Sequence, residues 1–340
     1  MLNSKITYMK IAIVKLSSLG DIVHAMPVLQ LIKKNIPNAQ IDWFVEKKFS
    51  LLLDCNPHID KIYDLDIKDN LSKRKYISLF RSLKNLKLIE KYDVVIDLQG
   101  LLKSAVVSRF INSKKVIGFD KKSIKEPIAS FLYNKKYFIE YSTNIIKRNI
   151  KLVSFALGIN LTFKELLLKD KFLFYKHSKN FPFSNKDYIL VIPGASFKSK
   201  IYPAKKFIKV LRRIDFNLVV IYNSPNERLI AEEIKASVDS VQILGNLDLN
   251  SLKEVVGKAK LVIGGDTGPL HMAWGMNIPS IGIFSPTSAK RNFYETDINK
   301  FIQNKNISNF SKIDKNSNEI GQISEEVIFN KVKILLRGHK

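Results

Sequence analysis

Short runs of apolar residues alternate along the first half of this chain with longer segments whose apolar residues recur every three or four positions. The short runs are typical of strands buried on both faces, and the longer segments of helices that bury one face. The runs predict strands over residues 10–16, 41–45, 59–63, 94–98 and 116–118. The longer segments predict helices over residues 22–32, 76–91, 101–110 and 144–157.

The alternation restarts after residues 161–186, a basic and aromatic stretch without a clear period. The predicted strands of the second half span 188–192, 218–222, 241–244, 261–263 and 280–284. Its predicted helices span 203–214, 227–236, 249–259 and 327–336, with one more after Asp266 that carries His271. Two such runs predict an α/β protein with two doubly wound domains. We expect these domains over 1–160 and 187–321, joined by 161–186 and followed by a C-terminal helix over 322–340.

Polar motifs follow several of the predicted strands in both halves. They occupy residues 17–21 and 99–103 in the first half and 194–200 and 266–271 in the second. Ligands of doubly wound domains bind at the carboxyl ends of the parallel strands, which is where these motifs fall. We therefore expect the two edges to face each other across an interdomain cleft.

The most informative motif is a buried strand that breaks at glycines and leads into a helix, LVIGGDTGPLH over residues 261–271. The backbone N–H groups at such a helix start are unpaired and lie at the positive end of the helix dipole. Asp266 and Thr267 can each cap the helix. His271, one turn further on, either contacts a phosphate or packs. The motif predicts a turn that holds the phosphates of a nucleotide.

A second loop, PGASFKSK over residues 193–200, offers small residues, hydroxyls and lysines that also suit phosphate. The chain lacks the P-loop pattern GxxxxGK[ST], and it lacks the GxGxxG fingerprint expected of a nicotinamide dehydrogenase. Glu227 follows another strand at a helix start. An acid there either grips ribose hydroxyls or is favoured by the helix dipole alone.

Asp21 opens a helix directly after the first predicted strand. It either caps that helix or acts as a general base at the mouth of the cleft. Burial or a like-charged neighbour can raise the pKa of an aspartate toward the range useful for a base. His24 lies one turn further on, and a histidine in such a position is more often packed than catalytic.

Charge is the unusual feature of the composition. The net charge is +25, from 56 basic and 31 acidic residues, and residues 109–151 alone hold eleven Lys or Arg against three Asp or Glu. Such an excess implies affinity for polyanions or an anionic acceptor. An AT-rich genome and a solvated basic face explain it equally well. The single cysteine excludes an internal disulfide, and the sequence has neither zinc-type Cys/His spacing nor an apolar run long enough for a membrane span.

These motifs together resemble glycosyltransferase family 9, the ADP-heptose:lipopolysaccharide heptosyltransferases. The matching segments are VKLSSLGDIVHAMPVL (14–29), YDVVIDLQGLLKSA (92–105), EPIASFLYNKK (126–136) and GDTGPLHMAWGMNIPSIGIFSPTS (265–288). The resemblance implies a GT-B fold whose second domain holds ADP-heptose. The second and third segments favour the branch that adds the first heptose to the Kdo of Kdo-lipid A. The alternative is the branch that acts on an already heptosylated core.

The resemblance also implies roles for single residues. Asp21 matches the proposed general base, and Lys200 is expected to receive charge on the departing diphosphate. The expected donor site comprises Ser196, Lys200, Glu227, Leu247, Asp266, Thr267, Gly268 and His271. The expected acceptor site comprises Arg74, Lys75, Lys103 and Arg148. Ala195 and Asn144 depart from the family pattern, at a phosphate contact and an acceptor contact respectively.

We therefore expect an inverting transfer that needs no metal or other cofactor. We expect the protein in the cytoplasm, peripheral at the inner face of the inner membrane, with an anionic membrane surface rather than nucleic acid as its partner. A different class stays open, namely a non-catalytic protein that senses nucleotides or binds polyanions, because doubly wound domains host many functions.

Overall fold

The computed structural model describes residues 8–162, 169–179, 181–183, 186–304 and 314–337. The chain divides into two compact units between Phe172 and Leu173. This boundary lies inside the stretch 161–186 that the sequence predicts as the connection between domains.

The first unit is built on a parallel sheet with helices on its faces. Its strands are β1 (Lys10–Val14), β2 (Gln40–Glu46), β3 (Lys61–Leu65), β4 (Val94–Asp97), β5 (Val116–Phe119) and β6 (Lys135–Tyr137). Its helices are α1 (Leu19–Ala25), α2 (Pro27–Asn35), α3 (Ser50–Leu53), α4 (Ile67–Ser72), α5 (Tyr76–Asn85), α6 (Leu102–Phe110) and α7 (Ile145–Leu157). The strand order is β3-β2-β1-β4-β5-β6. That is the Rossmann order, and it reverses direction between β1 and β4.

The second unit repeats this plan. Its strands are β7 (Ile189–Ile192), β8 (Leu218–Tyr222), β9 (Val241–Gly245), β10 (Leu261–Gly265), β11 (Ser280–Phe284) and β12 (Asn299–Gln303). Its helices are α8 (Ala204–Leu211), α9 (Pro225–Ser237), α10 (Leu249–Gly257), α11 (Gly268–Gly275), α12 (Ala289–Asn292) and α13 (Glu325–Arg337). The strand order β12-β11-β10-β7-β8-β9 places the reversal between β7 and β10.

The central strands carry the strongest apolar signal because helices cover both faces of each sheet. Every residue of β1, β4, β7 and β10 is buried. The strands that end the sheets are more polar, and the sequence pattern does not predict two of them, β6 and β12. β6 reads KKY with both lysines exposed, as suits an edge that must not pair with another chain.

Two predicted helices differ in the structure. The helix expected over 22–32 is two helices, because Pro27 begins α2 at the position where a missing N–H costs least. The helix expected over 76–91 ends at Asn85. The chain continues there as tight turns, with the Leu86 N–H donating to the Leu83 carbonyl at 3.1 Å.

Candidate active site

The loop after β1 lies at the point where the first sheet reverses its strand order. Its Asp21 is half-buried, and the carboxylate Oδ2 accepts hydrogen bonds from the Ser18 hydroxyl at 2.7 Å and the Ser18 N–H at 3.2 Å. Asp21 therefore caps the start of α1 by binding back to Ser18, the residue that precedes the helix. Among the described residues, its other oxygen, Oδ1, accepts no hydrogen bond.

The pKa of Asp21 is lowered, whereas the sequence allowed for a raised one. Burial does act to raise the pKa, but the charge of Lys15, the Ser18 hydrogen bonds and His24 outweigh it. Lys15 is buried and donates from Nζ to the Leu98 carbonyl at 3.0 Å. Asp21 is thus an ionised carboxylate held beside a fixed cation, and His24 is packed, with 4% of its surface exposed.

Gln99, just after β4, holds the Asp21 loop from the neighbouring strand. Its carboxamide oxygen accepts from the N–H groups of Leu16 and Ser17, at 3.0 and 3.1 Å. Gln99 is itself fixed because its N–H donates to the buried carboxylate of Asp97 at 2.8 Å. The Tyr133 hydroxyl also donates to the Asp97 carboxylate. The sequence predicted a motif at 99–103, but no role for Gln99.

Lys103 reaches the same loop. Its Nζ lies 3.3 Å from the Ser17 hydroxyl and 3.7 Å from Oε1 of the buried Glu46. Arg74 and Lys75 lie in the exposed turn between α4 and α5. Within the described part of the chain, neither of their side chains forms a hydrogen bond or ion pair. All three residues offer a positive charge, but only Lys103 contacts the Asp21 loop in the structure.

Arg148 has a different role from the acceptor contact expected of it. It is buried on α7, and its guanidinium donates to the backbone carbonyls of Ile139, Glu140 and Ser123 at 3.2, 2.8 and 2.5 Å. It also lies over the Phe119 ring, 4.8 Å from the centroid. Arg148 therefore organises the chain that follows β5, and the acceptor contact expected of it stays a prediction.

Asp266, after β10, is the centre of a polar network at the reversal point of the second sheet. Its Oδ1 lies 3.0 Å from His271 Nε2. Its Oδ2 accepts from Lys200 Nζ at 2.6 Å, from the Thr287 hydroxyl at 2.7 Å and from Asn292 Nδ2 at 3.5 Å. Four side chains from four segments thus converge on one carboxylate.

This network bears on the interpretations left open for Asp266 and His271. Burial acts to raise the pKa of Asp266, but the His271 hydrogen bond and the charge of Lys200 reverse the shift and lower the pKa far below its usual 3.8. Thr267, not Asp266, is the N-cap residue of α11, and its hydroxyl lies 3.3 Å from the Gly265 carbonyl. His271 packs against Asp266 with 4% of its surface exposed.

We call the loop after β7 (residues 193–200) and the loop after β10 (residues 266–271) the phosphate-type loops. They touch through their backbones. A side-chain Cβ at Gly265 would lie 2.8 Å from the Lys200 carbonyl oxygen, closer than two such atoms tolerate. The glycine at the end of β10 therefore lets the loop after β7 rest directly on it. In this arrangement Lys200 Nζ lies 2.6 Å from Oδ2 of Asp266, the residue before the N-cap of α11.

Glu227 joins this edge from α9. Its Oε2 accepts from the N–H groups of Asn223 and Ser224 at 2.8 and 3.1 Å, and the Ser224 hydroxyl accepts from the Glu227 N–H in return. A Cβ at Gly194 would lie 2.4 Å from the Glu227 carboxyl group. The glycine after β7 therefore makes room for the acid, and Glu227 is a capping residue whose carboxylate also lies on the phosphate-type loop.

The remaining donor candidates lie at the same edge without joining the network. Ser196 is exposed in the loop after β7, Leu247 is half-buried between β9 and α10, and Gly268 is half-buried at the start of α11. The sequence pattern missed Thr287 and Asn292, which follow β11 and bind Asp266. The signal available in the sequence was that Thr287 closely follows the predicted strand over 280–284, because the carboxyl ends of parallel strands meet at one edge.

Two further observations bear on the class of site. In the described ranges, no cluster of three His, Cys, Asp or Glu side chains is arranged to hold a metal ion. No helix of those ranges combines the length and the apolar character needed to cross a membrane.

Comparison with known proteins identifies the family. The model of glycosyltransferase family 9 (heptosyltransferase) matches residues 77–319. Lipopolysaccharide heptosyltransferase 1 of Campylobacter coli is 37% identical over 96% of this chain and 99% of its own length. The solved E. coli heptosyltransferase WaaC with ADP superposes with a TM-score of 0.79 at 22% identity, covering 96% of this chain and 100% of that one. WaaC with ADP-2-deoxy-2-fluoro heptose gives 0.74 at 22% identity, covering 98% and 100%.

These similarities confirm the predicted α/β fold with two Rossmann-like domains of the GT-B type. The family match spans the loops after β7, β10 and β11, and the Campylobacter relative extends the likeness to the Asp21 loop. This chain belongs to glycosyltransferase family 9, the heptosyltransferases.

Proposed function

We propose that this chain transfers L-glycero-D-manno-heptose from ADP-heptose to the Kdo of Kdo-lipid A during synthesis of the lipopolysaccharide inner core. The observation that carries the proposal is its near full-length identity of 37% to a lipopolysaccharide heptosyltransferase 1. The WaaC complexes with ADP and with a fluorinated ADP-heptose support the choice of donor.

The donor diphosphate binds at the edge of the second sheet. The start of α11 offers unpaired N–H groups and the positive end of its dipole, and Ser196 and Lys200 add a hydroxyl and a charge. Lys200 is held in place by Asp266, at 2.6 Å. Glu227, lying on Gly194, accepts hydrogen bonds from the ribose hydroxyls. These groups stabilise the negative charge that grows on ADP as it leaves.

Asp21 acts on the acceptor. A Kdo hydroxyl attacks the anomeric carbon of heptose from the side opposite ADP. As the new carbon–oxygen bond forms, the bond to the diphosphate oxygen breaks and the hydroxyl proton passes to Asp21. The anomeric configuration inverts in this single displacement. Since the pKa of Asp21 is lowered, the carboxylate is a weak base, and it accepts the proton late, when the attacking hydroxyl has become strongly acidic.

We further propose that the protein works at the anionic inner face of the inner membrane, where its acceptor is found. The net charge of +25 supports this placement, because basic segments are attracted to anionic lipid headgroups. Arg74, Lys75 and Lys103 are the cations we assign to the acceptor side.

One assay tests the proposal. The protein is incubated with ADP-heptose and either Kdo-lipid A or its heptosylated product, and the mass of each acceptor is measured. We expect one added heptose on Kdo-lipid A only. Addition to the heptosylated acceptor alone would assign the second transfer instead. No consumption of ADP-heptose, together with steeply salt-dependent binding of nucleic acid, would favour the polyanion-binding alternative.

A further inference from the structure

The first unit contains an apolar groove between α4, α5 and the start of α6. Its volume is about 400 Å³, within the range of roughly 300–1,000 Å³ common for small-molecule sites. Its lining includes Leu71 of α4, Leu79 of α5, and Leu102 and Val106 of α6. Leu71 and Leu102 are 44% and 42% exposed, so the groove is open to solvent at its rim.

The lining is apolar except for a charged pair. Two of its residues carry charge, Lys103 and Glu126. Glu126 is occupied, because its Oε2 accepts from the Leu102 N–H at 2.7 Å. Lys103 reaches from the groove to the Ser17 hydroxyl, 3.3 Å away, in the loop that carries Asp21. The groove therefore fits an amphiphile whose apolar part lies between the helices and whose anionic head lies at Lys103, next to the reacting group.

The surroundings of the groove favour an anionic ligand that comes from a lipid phase. Residues 67–88 hold seven Lys or Arg against one Asp. On α5, Ile77 and Phe80 are 80% and 60% exposed, although the same helix already turns Leu79 and Leu83 toward the groove. A helix that is apolar on its outer side and flanked by cations is typical of segments that lie at a lipid interface.

We propose that this groove binds an acyl chain of the anionic glycolipid acceptor while the sugar head reaches Asp21. The proposal rests on the proposed function, since that function supplies a lipid-linked acceptor. A chain held there orients the acceptor along the line from the groove to Lys103. The enzyme then recognises the lipid part of its acceptor as well as the sugar.

The test compares two acceptors and three proteins. Heptose transfer is measured with acylated Kdo-lipid A and with its fully deacylated, water-soluble form. Val106→Phe fills the groove at a half-buried position, and Val327→Phe is the matched control, the same exchange at an exposed position on α13 outside the lining. We expect Val106→Phe to raise KM for the acylated acceptor about tenfold, the loss of a few buried methylenes, and to leave KM for the deacylated acceptor unchanged. Val327→Phe should change neither KM by more than about twofold.

Three results would overturn the groove. They are an equal effect of Val106→Phe on both acceptors, no effect on either, or an effect of Val327→Phe as large as that of Val106→Phe. Should the unaltered protein transfer heptose to neither acceptor, the proposed function fails instead. Calorimetry with dodecyl phosphate and with inorganic phosphate then decides the groove alone. Binding of dodecyl phosphate only, lost in Val106→Phe, keeps the groove, and absence of binding rejects it.

Discussion

Each unit of this protein has an aspartate at the reversal point of its sheet, and the two carboxylates differ in how many side chains bind them. Within the described ranges, Asp21 accepts hydrogen bonds on one oxygen, from a single neighbouring residue, and stays half-buried. Asp266 is 9% exposed and engages both oxygens with side chains from four segments. Both have a lowered pKa, so ionisation does not distinguish them.

The two aspartates therefore differ in whether a carboxylate oxygen remains available to a substrate. A carboxylate whose acceptor positions are filled cannot take a proton from a ligand without breaking its network, whereas one with an open oxygen can. Asp266 therefore suits a structural role, and Asp21 suits the role of base that we propose for it. The same residue type in the same topological position serves two purposes because of the number of its partners.

The largest expected effect is on turnover. Asp21→Asn keeps the shape of the turn but removes the base, so kcat should fall about 10³- to 10⁴-fold while the Kd for ADP stays unchanged. Asp120→Asn is the control, because Asp120 caps a turn of the same unit through the Lys122 N–H at 3.0 Å. It should change stability slightly and kcat not at all. Near-normal kcat in Asp21→Asn would reduce Asp21 to a cap and remove the contrast with Asp266.

The second effect is on stability and donor binding. Asp266→Ala leaves the half-buried Lys200 without its carboxylate, which should lower the free energy of unfolding by about 3–5 kcal/mol and abolish ADP binding. Asp187→Ala breaks an exposed ion pair with Lys260 in the same unit, which should cost about 0–1 kcal/mol. Denaturant unfolding and calorimetry measure both. Equal losses in the two variants would show that the network has no special weight.

The pH dependence of stability gives a further readout for Asp266. Its pKa in the folded protein lies below the usual 3.8, so its stabilising contribution is present above that pH and is lost progressively as the pH falls below it. The melting temperature of the unaltered protein should therefore drop steeply in acid. Asp266→Ala should have the flatter profile of the two in that range.

The third effect tests the support of the Asp21 loop. Gln99→Leu removes the acceptor for the N–H groups of Leu16 and Ser17, which lets the loop shift. We expect kcat to fall about tenfold to a hundredfold with no change in the Kd for ADP. Gln99→Glu keeps an acceptor oxygen and should recover most of the rate. If neither variant moved kcat, Asp21 would not depend on its loop for its position.

The smallest effect is at the ribose end of the donor site. Gly194→Ala places a methyl group against the carboxyl group of Glu227, so this flexible side chain must turn aside. ADP binding should weaken by a few fold, about 1 kcal/mol for a hydrogen bond that is lengthened rather than lost. Gly321→Ala, whose methyl group would meet only an ordinary contact at 3.5 Å from Pro203, should leave the Kd unchanged. An equal loss in both would separate Glu227 from the donor.

The sequence predicts the buried strands of this fold well, since β1, β4, β7 and β10 are continuous apolar runs in a sheet covered on both faces. It predicts edge strands such as β6 poorly, because an edge buries little and its residues obey no pattern. For the site, the strand ends indicate which loops meet. They do not indicate that Arg148 is enclosed by carbonyls.

The sequence also does not predict which residues bind a given carboxylate. Thr287 and Asp266 are far apart along the chain, and only the pairing of β10 with β11 brings them to 2.7 Å. Gln99 and Ser17 meet in the same way, through β1 and β4. Contacts of this kind depend on register and rotamer, which a local pattern does not encode.

The Lys200 carbonyl rests on Gly265, and this contact couples the two phosphate-type loops energetically. A ligand that draws Lys200 toward its phosphate also pulls on the end of β10, on Asp266 and so on the residues that share that carboxylate. The contributions of these residues to donor affinity will therefore not add, and single substitutions among them will overstate each one's share. Donor affinity is therefore a property of these loops acting together as one cooperative unit.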